Sequence, residues 1–592
     1  VLVYGETTWT GDPRARIAGL DALLREGADA APGILRHGTL TAALIEAGEL
    51  AQGIADAAFE GFCADAPSPA TDAATVVLMR LARATWASWR GGLDGEMPGP
   101  DILREFAGVT LPGRIATRWA EGFAHYALYP EGYAMAAVAS GLTAATRVVG
   151  IRSIGTPLGA MVAAALDAAD PVTVRPTGHP FRRELALSAP LTARLRAGDP
   201  PAYAVVDEGP GLSGSSFGAV VDTLESWGVA QARIALFPSH PGAPGDRASS
   251  RHRARWNGLA RHVAPSADHL IEGDRPTLAG WIADLTGPLV GPLDDLSGGA
   301  WRRRHYASEA DWPPANTAQE RRKVLARTPS GPWLAKFAGL GPAARRRLDR
   351  ARSLHAAGFT PEPAGYRHGF LVERWMAEAR PLDRWTRDVG APAPHLALPD
   401  LGERAGDYLG FRARAFAREA GRGASLADLV AMARHNTAEA LGPDIARALD
   451  AWTPAQIESL ARRVRPVEVD GRLHAWEWLV LPDGRLLKAD ALDHHAGHDL
   501  VGCQDIAWDV AGAAVELALD PHALLPTLAD RAGTRVDPDL LALLTPCYLA
   551  FQLGFSNMAQ AATGDPNEAA RHARSVERYA TRLRAALGNG RS

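Results

Sequence analysis

Residues 205–220 read VVDEGPGLSGSSFGAV. The two valines close an apolar run that begins AYAVV at position 202, and a short apolar run bounded by Gly and Pro reads as a buried strand of a parallel sheet. An acidic pair, Asp207 and Glu208, follows, then a glycine-rich loop and a helix-like run from Phe217. In doubly wound sheets ligands bind outside the carboxyl ends of the strands, where the free N–H groups of the next helix face an anion. Phosphate is therefore the natural guest of Ser213, Gly214, Ser215 and Ser216, which offer hydroxyl donors and side chains small enough for the main chain to wrap it. Asp207 and Glu208 cannot face that same anion, and suit sugar hydroxyls or a magnesium ion held through water.

Working outward, RVVGI, PVTVRP, AYAVVDE and RIALFPS alternate with helical runs such as PLGAMVAAALDA between about residues 112 and 292. That alternation predicts an α/β domain around a parallel sheet. Residues 1–111 are Ala-rich and read as amphipathic helices packed on that domain, with VLVYGE as their one strand-like run. TGPLVGPLDD carries Gly and Pro without periodicity and marks a boundary near 292–296. The remainder, 296–592, opens with hairpin-like strands and ends in long Ala/Leu/Arg helices, an α+β pattern.

The chain has 592 residues, 47% hydrophobic and 22% charged, with a formal net charge of −4. This balance excludes wholesale disorder and argues against a surface built for nucleic acid, and leaves basic runs such as WRRRHY and AARRRLDRAR as solvated helix faces. Three widely spaced cysteines, Cys63, Cys503 and Cys547, form neither a zinc motif nor a disulfide framework. The start lacks a signal pattern and no apolar run reaches about 18 residues, so a cytoplasmic protein without a membrane partner is expected.

The segment from Tyr129 to Ser239 resembles the type I phosphoribosyltransferases, in which an acidic pair at a strand end grips ribose hydroxyls and a following small-residue loop holds the 5′-phosphate. TRVVGIRSIGTPLGAMVAAAL is similar to the pyrophosphate loop of that family, through Ser153, Ile154, Gly155 and Thr156. The resemblance implies PRPP or a nucleoside monophosphate as ligand, with magnesium, and it offers Arg175, Arg182 and Arg183 of VRPTGHPFRRELALS as phosphate contacts from a mobile segment. The loop DEGPGLSGSS departs from the family by extra length, Pro210 and added glycines.

From about 296 to the C-terminus the chain resembles the aminoglycoside phosphotransferase-like kinases. LSGGAWRRRHY reads as a Gly turn between strands, LAKF carries Lys336 toward nucleotide phosphates, and GFLVERWMAEARPLD is similar to the linker between lobes. LHAWEWLVLPDG followed by LLKADALDHH is similar to the catalytic hairpin of that family, which implies metal-binding roles for Glu477 and Asp490, with ATP and magnesium as cofactors. The same register puts Arg472 where the catalytic aspartate belongs. An arginine cannot accept the proton of an acceptor hydroxyl, so Asp470, Glu468 or His474 would have to substitute. In QDIAWDVAG, Asp505 and Asp509 look like anchors of the catalytic loop. DALDHHAGHDL also crowds metal-capable groups together, with His494 and His498 four apart and Asp493, His495 and Asp499 beside them.

Together these features predict a bifunctional enzyme handling small-molecule nucleotides or sugar phosphates, one module binding PRPP or a nucleoside monophosphate and the other transferring phosphate from ATP. The alternative is a nucleotide- or PRPP-sensing protein whose second module is a pseudokinase, favoured by Arg472. A possible homo-oligomer, the acceptor base and the kinase substrate stay open at this stage.

Overall fold

The computed structural model describes residues 8–264, 270–271, 276–317, 319–384, 401–496 and 501–588. The expected first strand, 1–6, and the metal-capable His498 and Asp499 lie outside these residues.

The α/β expectation is met by a five-stranded sheet in the order Val172–Val174, Arg147–Ile151, Tyr203–Val206, Ile234–Phe237, Ala260–Arg261, every neighbour pair parallel. In chain order this is 2-1-3-4-5, so the order reverses between the strands ending at Ile151 and Val206. Alternate residues serve two cores. Val148, Ala204 and Val206 pack with Leu158, Met161 and Val162 of the helix Gly155–Leu166, whereas Val149, Val205 and Leu236 pack with Phe217, Val220 and Trp256 on the other face.

The N-terminal helices Pro13–Asp29, Ile34–Phe62 and Pro69–Arg90 cover the first of these faces. Their ends are written in the sequence. Asp12 accepts the N–H of Arg14, and Ser68 and Thr71 form a reciprocal capping box ahead of Pro69.

Past residue 292 lies an antiparallel sheet in the order Asp294–Asp295, Lys323–Thr328, Gly331–Phe337, Phe370–Arg374, Pro363–Arg367, crossed by the helix Pro342–Ala356. A separate core binds the helices Leu401–Ala415, Leu426–Leu441, Ala507–Glu516 and Pro538–Ala562 to the hairpin Trp478–Val480/Leu486–Lys488. Pro538–Ala562 is long and apolar enough to cross a membrane, which the sequence reading did not expect, but it packs inside this core.

Three expectations need correction. Gly298 and Gly299 lead into the 3-10 turn Ala300–Arg304, so the glycines of LSGGAWRRRHY do not join two strands. The arginines of AARRRLDRAR do not all lie on a solvated face: Arg347 and Arg350 are buried and paired with Asp493 and Glu468. Residues 490–496 form no helix, so His494 does not stand on a helical face, and its expected partner His498 lies outside the described residues.

The packing also crosses the expected boundary at 292–296. Val324, Ala326, Trp333, Ala335, Phe337, Phe370 and Val372 share one core with Leu40, Leu44 and Ile54 of the N-terminal helices, and the Tyr129 hydroxyl donates to the His368 carbonyl at 2.8 Å. Removing residues before 296 strips that face of the sheet. A fragment starting at Leu296 should therefore show no cooperative calorimetric transition of its own, whereas Phe337→Ala in the full chain should lose about 3–5 kcal/mol of stability in denaturant titrations. A sharp transition in the isolated fragment would show that the shared core is not needed.

Candidate functional site

Two places gather the residues singled out in the sequence. The first is the switch point of the parallel sheet. Glycine at 150 and 155 lets the turn after the first strand lie directly on the third, since a Cβ on Gly155 would collide with the Val206 carbonyl and one on Gly150 with the Gly155 carbonyl. Ser153, Ile154, Gly155 and Thr156 thereby come beside the strand end that carries Asp207 and Glu208, at the crevice where open α/β sheets bind ligands. The Thr156 hydroxyl is buried there with no hydrogen-bond partner among the described residues. The Tyr133 hydroxyl donates to the Asp207 main-chain carbonyl at 2.8 Å, and the Asp207 carboxylate accepts the N–H of Glu208 at 2.8 Å. Burial, reinforced by the Glu208 carboxylate, pushes the Asp207 carboxyl up to about 8.

Gly214, left-handed at φ 65°, turns the loop so that Ser215 starts the helix Ser215–Ser226. Ser213 donates to the Ser215 hydroxyl at 2.9 Å, and Ser215 donates to the Pro180 carbonyl at 2.7 Å. Pro180 is the tip of an antiparallel hairpin, Pro176–His179 with Arg182–Leu185, so the segment read as a connection near the phosphates is a hairpin whose tip meets the serine loop. Ser216 is half-buried at the helix start. Arg175 is not available to phosphate, being spent on Asp56 and the Arg152 carbonyl. Arg182 is exposed, and Arg183 is half-buried with one N–H on the Gly178 carbonyl at 3.1 Å. Burial, with Arg118 and Arg175 nearby, lowers the Arg183 pKa, so the hairpin carries its positive charge among other cations.

The second place is a cleft of about 270 Å³ between the antiparallel sheet and the helical half, lined by Lys336, Arg472, His474, Glu477, Lys488, Asp490 and His494 among others. Strand alternation aims Lys336 into it, because Trp333, Ala335 and Phe337 occupy the opposite face. Its ammonium pairs with Asp490, and burial notwithstanding, Lys336 and His494 hold the Asp490 carboxyl well below the usual carboxylate range. Glu373 lies in the same wall, pushed up to about 7 by burial.

Beneath the cleft floor, Asp509 accepts the main-chain N–H groups of Asp470 and Gly471 at 2.7 and 2.8 Å, and Asp505 accepts those of Arg465 and Ala507. Both aspartates hold backbone, as their sequence context suggested. Asp470 is itself buried and heavily bonded: Tyr408 donates to it, His494 Nδ1 lies at 3.1 Å and Lys488 Nζ at 3.5 Å. Lys488 was missed in the sequence, although a lysine closing the apolar strand LLK two residues before Asp490 is a readable anomaly. Fully buried, it donates to Glu477 at 2.7 Å and to the Ala489 carbonyl at 2.8 Å. Glu468, the other candidate base, is taken up by Arg350 and Arg418.

Arg472 stands at the cleft with its guanidinium 5.1 Å from the Phe555 ring. His474 stacks on Trp476 at 4.3 Å, and its Nδ1 lies 3.1 Å from the carboxylate of Glu516, a buried acid at the end of an apolar helix that sequence reading also passed over. Glu516 is braced by Arg578 and Tyr579 at 2.8 Å each. Asp490, Glu477 and Asp470 thus differ in availability. Asp490 faces the cleft paired with Lys336, Glu477 spends one oxygen on a buried lysine, and Asp470 is enclosed.

No family model matches the chain, and no curated protein matches it. Its neighbours among solved structures are kinases and phosphotransferases, over about half of the chain. They include choline kinase LicA from Streptococcus pneumoniae at 14% identity, covering 44% of this chain and 89% of that one with a TM-score of 0.28. Macrolide 2′-phosphotransferase MphH from Brachybacterium faecium is 17% identical, covers 50% and 96% and has a TM-score of 0.29. A glucosamine kinase is 18% identical, covers 56% and 88% and has a TM-score of 0.32. TM-scores this low leave the functional reading to the side chains themselves, and these structures do not bear on the phosphoribosyltransferase resemblance.

The Asp207 shift has a definite sign. The folded chain keeps a proton on Asp207 up to about 8, while the unfolded chain loses it near the ordinary aspartate value, about 3.9. Folded protein therefore binds more protons across that window, and stability falls as pH rises through it. Asp207→Asn should melt higher than wild type at pH 9, with the gap closing as the pH is lowered to 5. A pH-independent gap would show that Asp207 is ordinarily ionised.

Proposed function

We propose that the C-terminal half transfers phosphate from ATP to a hydroxyl of a small molecule, and that the switch point of the parallel sheet holds a ribose 5-phosphate ligand such as PRPP or a nucleoside monophosphate. The observation that carries the first part is the contact of Lys336 with Asp490 across the cleft. A strand lysine and a carboxylate that follows a hairpin are the charges that phosphoryl transfer needs on either side of a nucleotide, because its catalysis is mostly positioning and electrostatic stabilisation.

In this reading Lys336 leaves Asp490 for the nucleotide phosphates. Asp490 is then free to hold magnesium, which would neutralise phosphate charge. Glu477 keeps Lys488 in place, and the pair lends the cleft floor a fixed cation. Asp470 is too enclosed to reach an acceptor, so it acts on the loop through His494 and Lys488. His474 is the group left to take the acceptor proton, with Glu516 orienting its ring as a carboxylate orients a catalytic imidazole. Arg472 beside it supplies charge to the transferred group instead of a base.

Lys336→Met should weaken ATP binding by tenfold or more in calorimetry, on the usual scale of about 1.5–3 kcal/mol for a charged hydrogen bond. Asp490→Ala should abolish ATP turnover, while His474→Ala should lower it by about 100-fold with ATP affinity nearly intact. ATP binding without turnover on a broad panel of hydroxylated acceptors would favour the second reading, a nucleotide sensor, for which Arg472 and the internal Lys488 are the supporting observations. At the switch point, the double variant Asp207→Asn/Glu208→Gln should lose at least about tenfold in affinity for PRPP or a nucleoside monophosphate, and unchanged affinity would remove that part of the proposal.

A further inference from the structure

His37, Glu131 and His368 come from three distant parts of the chain and meet in the shared core. His37 lies in the first turns of the helix Ile34–Phe62, Glu131 opens the helix Pro130–Ala139, and His368 sits in the turn between the strands Pro363–Arg367 and Phe370–Arg374. All three side chains are 0% exposed. His37 Nε2 is 3.0 Å and His368 Nε2 is 3.5 Å from Glu131 Oε1, and one nitrogen or oxygen from each residue falls within 4.8 Å of the others.

The hydrogen bonding of this trio is incomplete. Among the described residues, His368 Nδ1 and Glu131 Oε2 have no hydrogen-bond partner, and His368 Nε2 has only the long 3.5 Å approach to Glu131 Oε1. A buried polar atom left so bears the full cost of its lost hydration. The surroundings offer little relief: the His368 ring is packed by Tyr129 at 5.1 Å, Trp281 at 5.3 Å and Trp89 at 6.2 Å between centroids. The other face of His37 is different, with Nδ1 3.0 Å from the Ser88 hydroxyl. In the tautomer whose Nδ1–H donates to Ser88, the Nε2 lone pair faces the Glu131 oxygen 3.0 Å away, and either a second proton or a metal ion must then lie between them.

We propose that His37, Glu131 and His368 form a structural zinc site that pins the N-terminal helices to the antiparallel sheet. Ligand atoms of a tetrahedral zinc with bonds of about 2.0–2.1 Å stand about 3.3 Å apart, and the distances of 3.0 and 3.5 Å bracket that value. His37 Nε2, His368 Nε2 and the Glu131 carboxylate supply the donors, and Ser88 is the outer partner of His37 Nδ1. Thr41 donates to Glu131 Oε1 at 2.9 Å and steadies the carboxylate. Two imidazoles exclude a magnesium or calcium preference, and the complete burial leaves no open position of the kind that iron oxygenase sites keep.

The test is the metal content of the full chain, purified without a metal-affinity step. Elemental analysis by mass spectrometry should find about one zinc per chain, retained in His494→Gln, which alters the other metal-capable trio of Asp470, Glu477 and His494, and reduced to about a tenth or less in His368→Gln and Glu131→Gln. Cobalt added to chelator-treated wild type should give the visible absorption of a tetrahedral site, and zinc should restore a melting temperature that chelation had lowered. Should either variant fail to fold, X-ray absorption at the zinc edge of the wild type decides, with two imidazoles and carboxylate oxygen expected. A sulfur shell, folded wild type that takes up neither zinc nor cobalt, or zinc content unchanged in folded His368→Gln would overturn the proposal.

Discussion

The strand Gly331–Phe337 has two faces, and most of the architecture follows from how each is used. Trp333, Ala335 and Phe337 dock on the N-terminal helices, which fixes the strand from behind. Lys336 is thereby held against the cleft, opposite Asp490. A strand tethered by only one face would leave a long lysine to find its carboxylate at the cost of ordering both. Here the apolar face bears that cost, and the charged face meets its partner already positioned.

Burial of charge sets the second constraint. The cleft floor places Asp470, Lys488, Arg412 and Asp509 out of contact with water. Such groups persist only when each is matched, since an unpaired buried charge is far costlier than the pair is favourable. Arg412 donates to Tyr408, to the Ala491 carbonyl and to the Glu468 carbonyl, and Tyr408 donates onward to Asp470. Asp509, pushed up to about 6 by burial and by the neighbouring Asp470, closes the network through the loop backbone. This is why Asp470, the nearest carboxylate to Arg472 in sequence, is the least able to reach a substrate.

The two candidate sites are also physically adjoining. The short helix Glu121–His125 has Gly122 against the Glu208 carboxylate on one side, where a Cβ would crowd it at 2.8 Å. On the other side the Phe123 carbonyl accepts the N–H of Leu340 at 2.8 Å, the Ala124 carbonyl accepts Arg347 at 2.9 Å, and His125 lines the cleft. Ligand loops and cleft are therefore joined by one packed element, within the core that spans residue 296.

What could be read from the chain was local. The apolar runs and Gly/Pro punctuation located the strands ending at Ile151 and Val206, the loops after them and the helices beginning at Gly155 and Ser215, because periodicity and turn chemistry act over a few residues. The hairpin Trp478–Lys488 and the anchoring roles of Asp505 and Asp509 were legible only through the resemblance of LHAWEWLVLPDG and QDIAWDVAG to a kinase family. Only the tertiary structure decided which side chains meet. Arg347 and Arg350 look like a solvated stripe until Asp493 and Glu468 arrive from more than a hundred residues away, as the hydrogen bond from Arg350 to Glu468 spans 118 positions. His474 with Glu516, and the trio of His37, Glu131 and His368, are likewise pairings between segments far apart in the chain. No sequence period encodes them, because a buried charge or imidazole is specified by what the fold places opposite it, and that partner has no fixed distance along the chain.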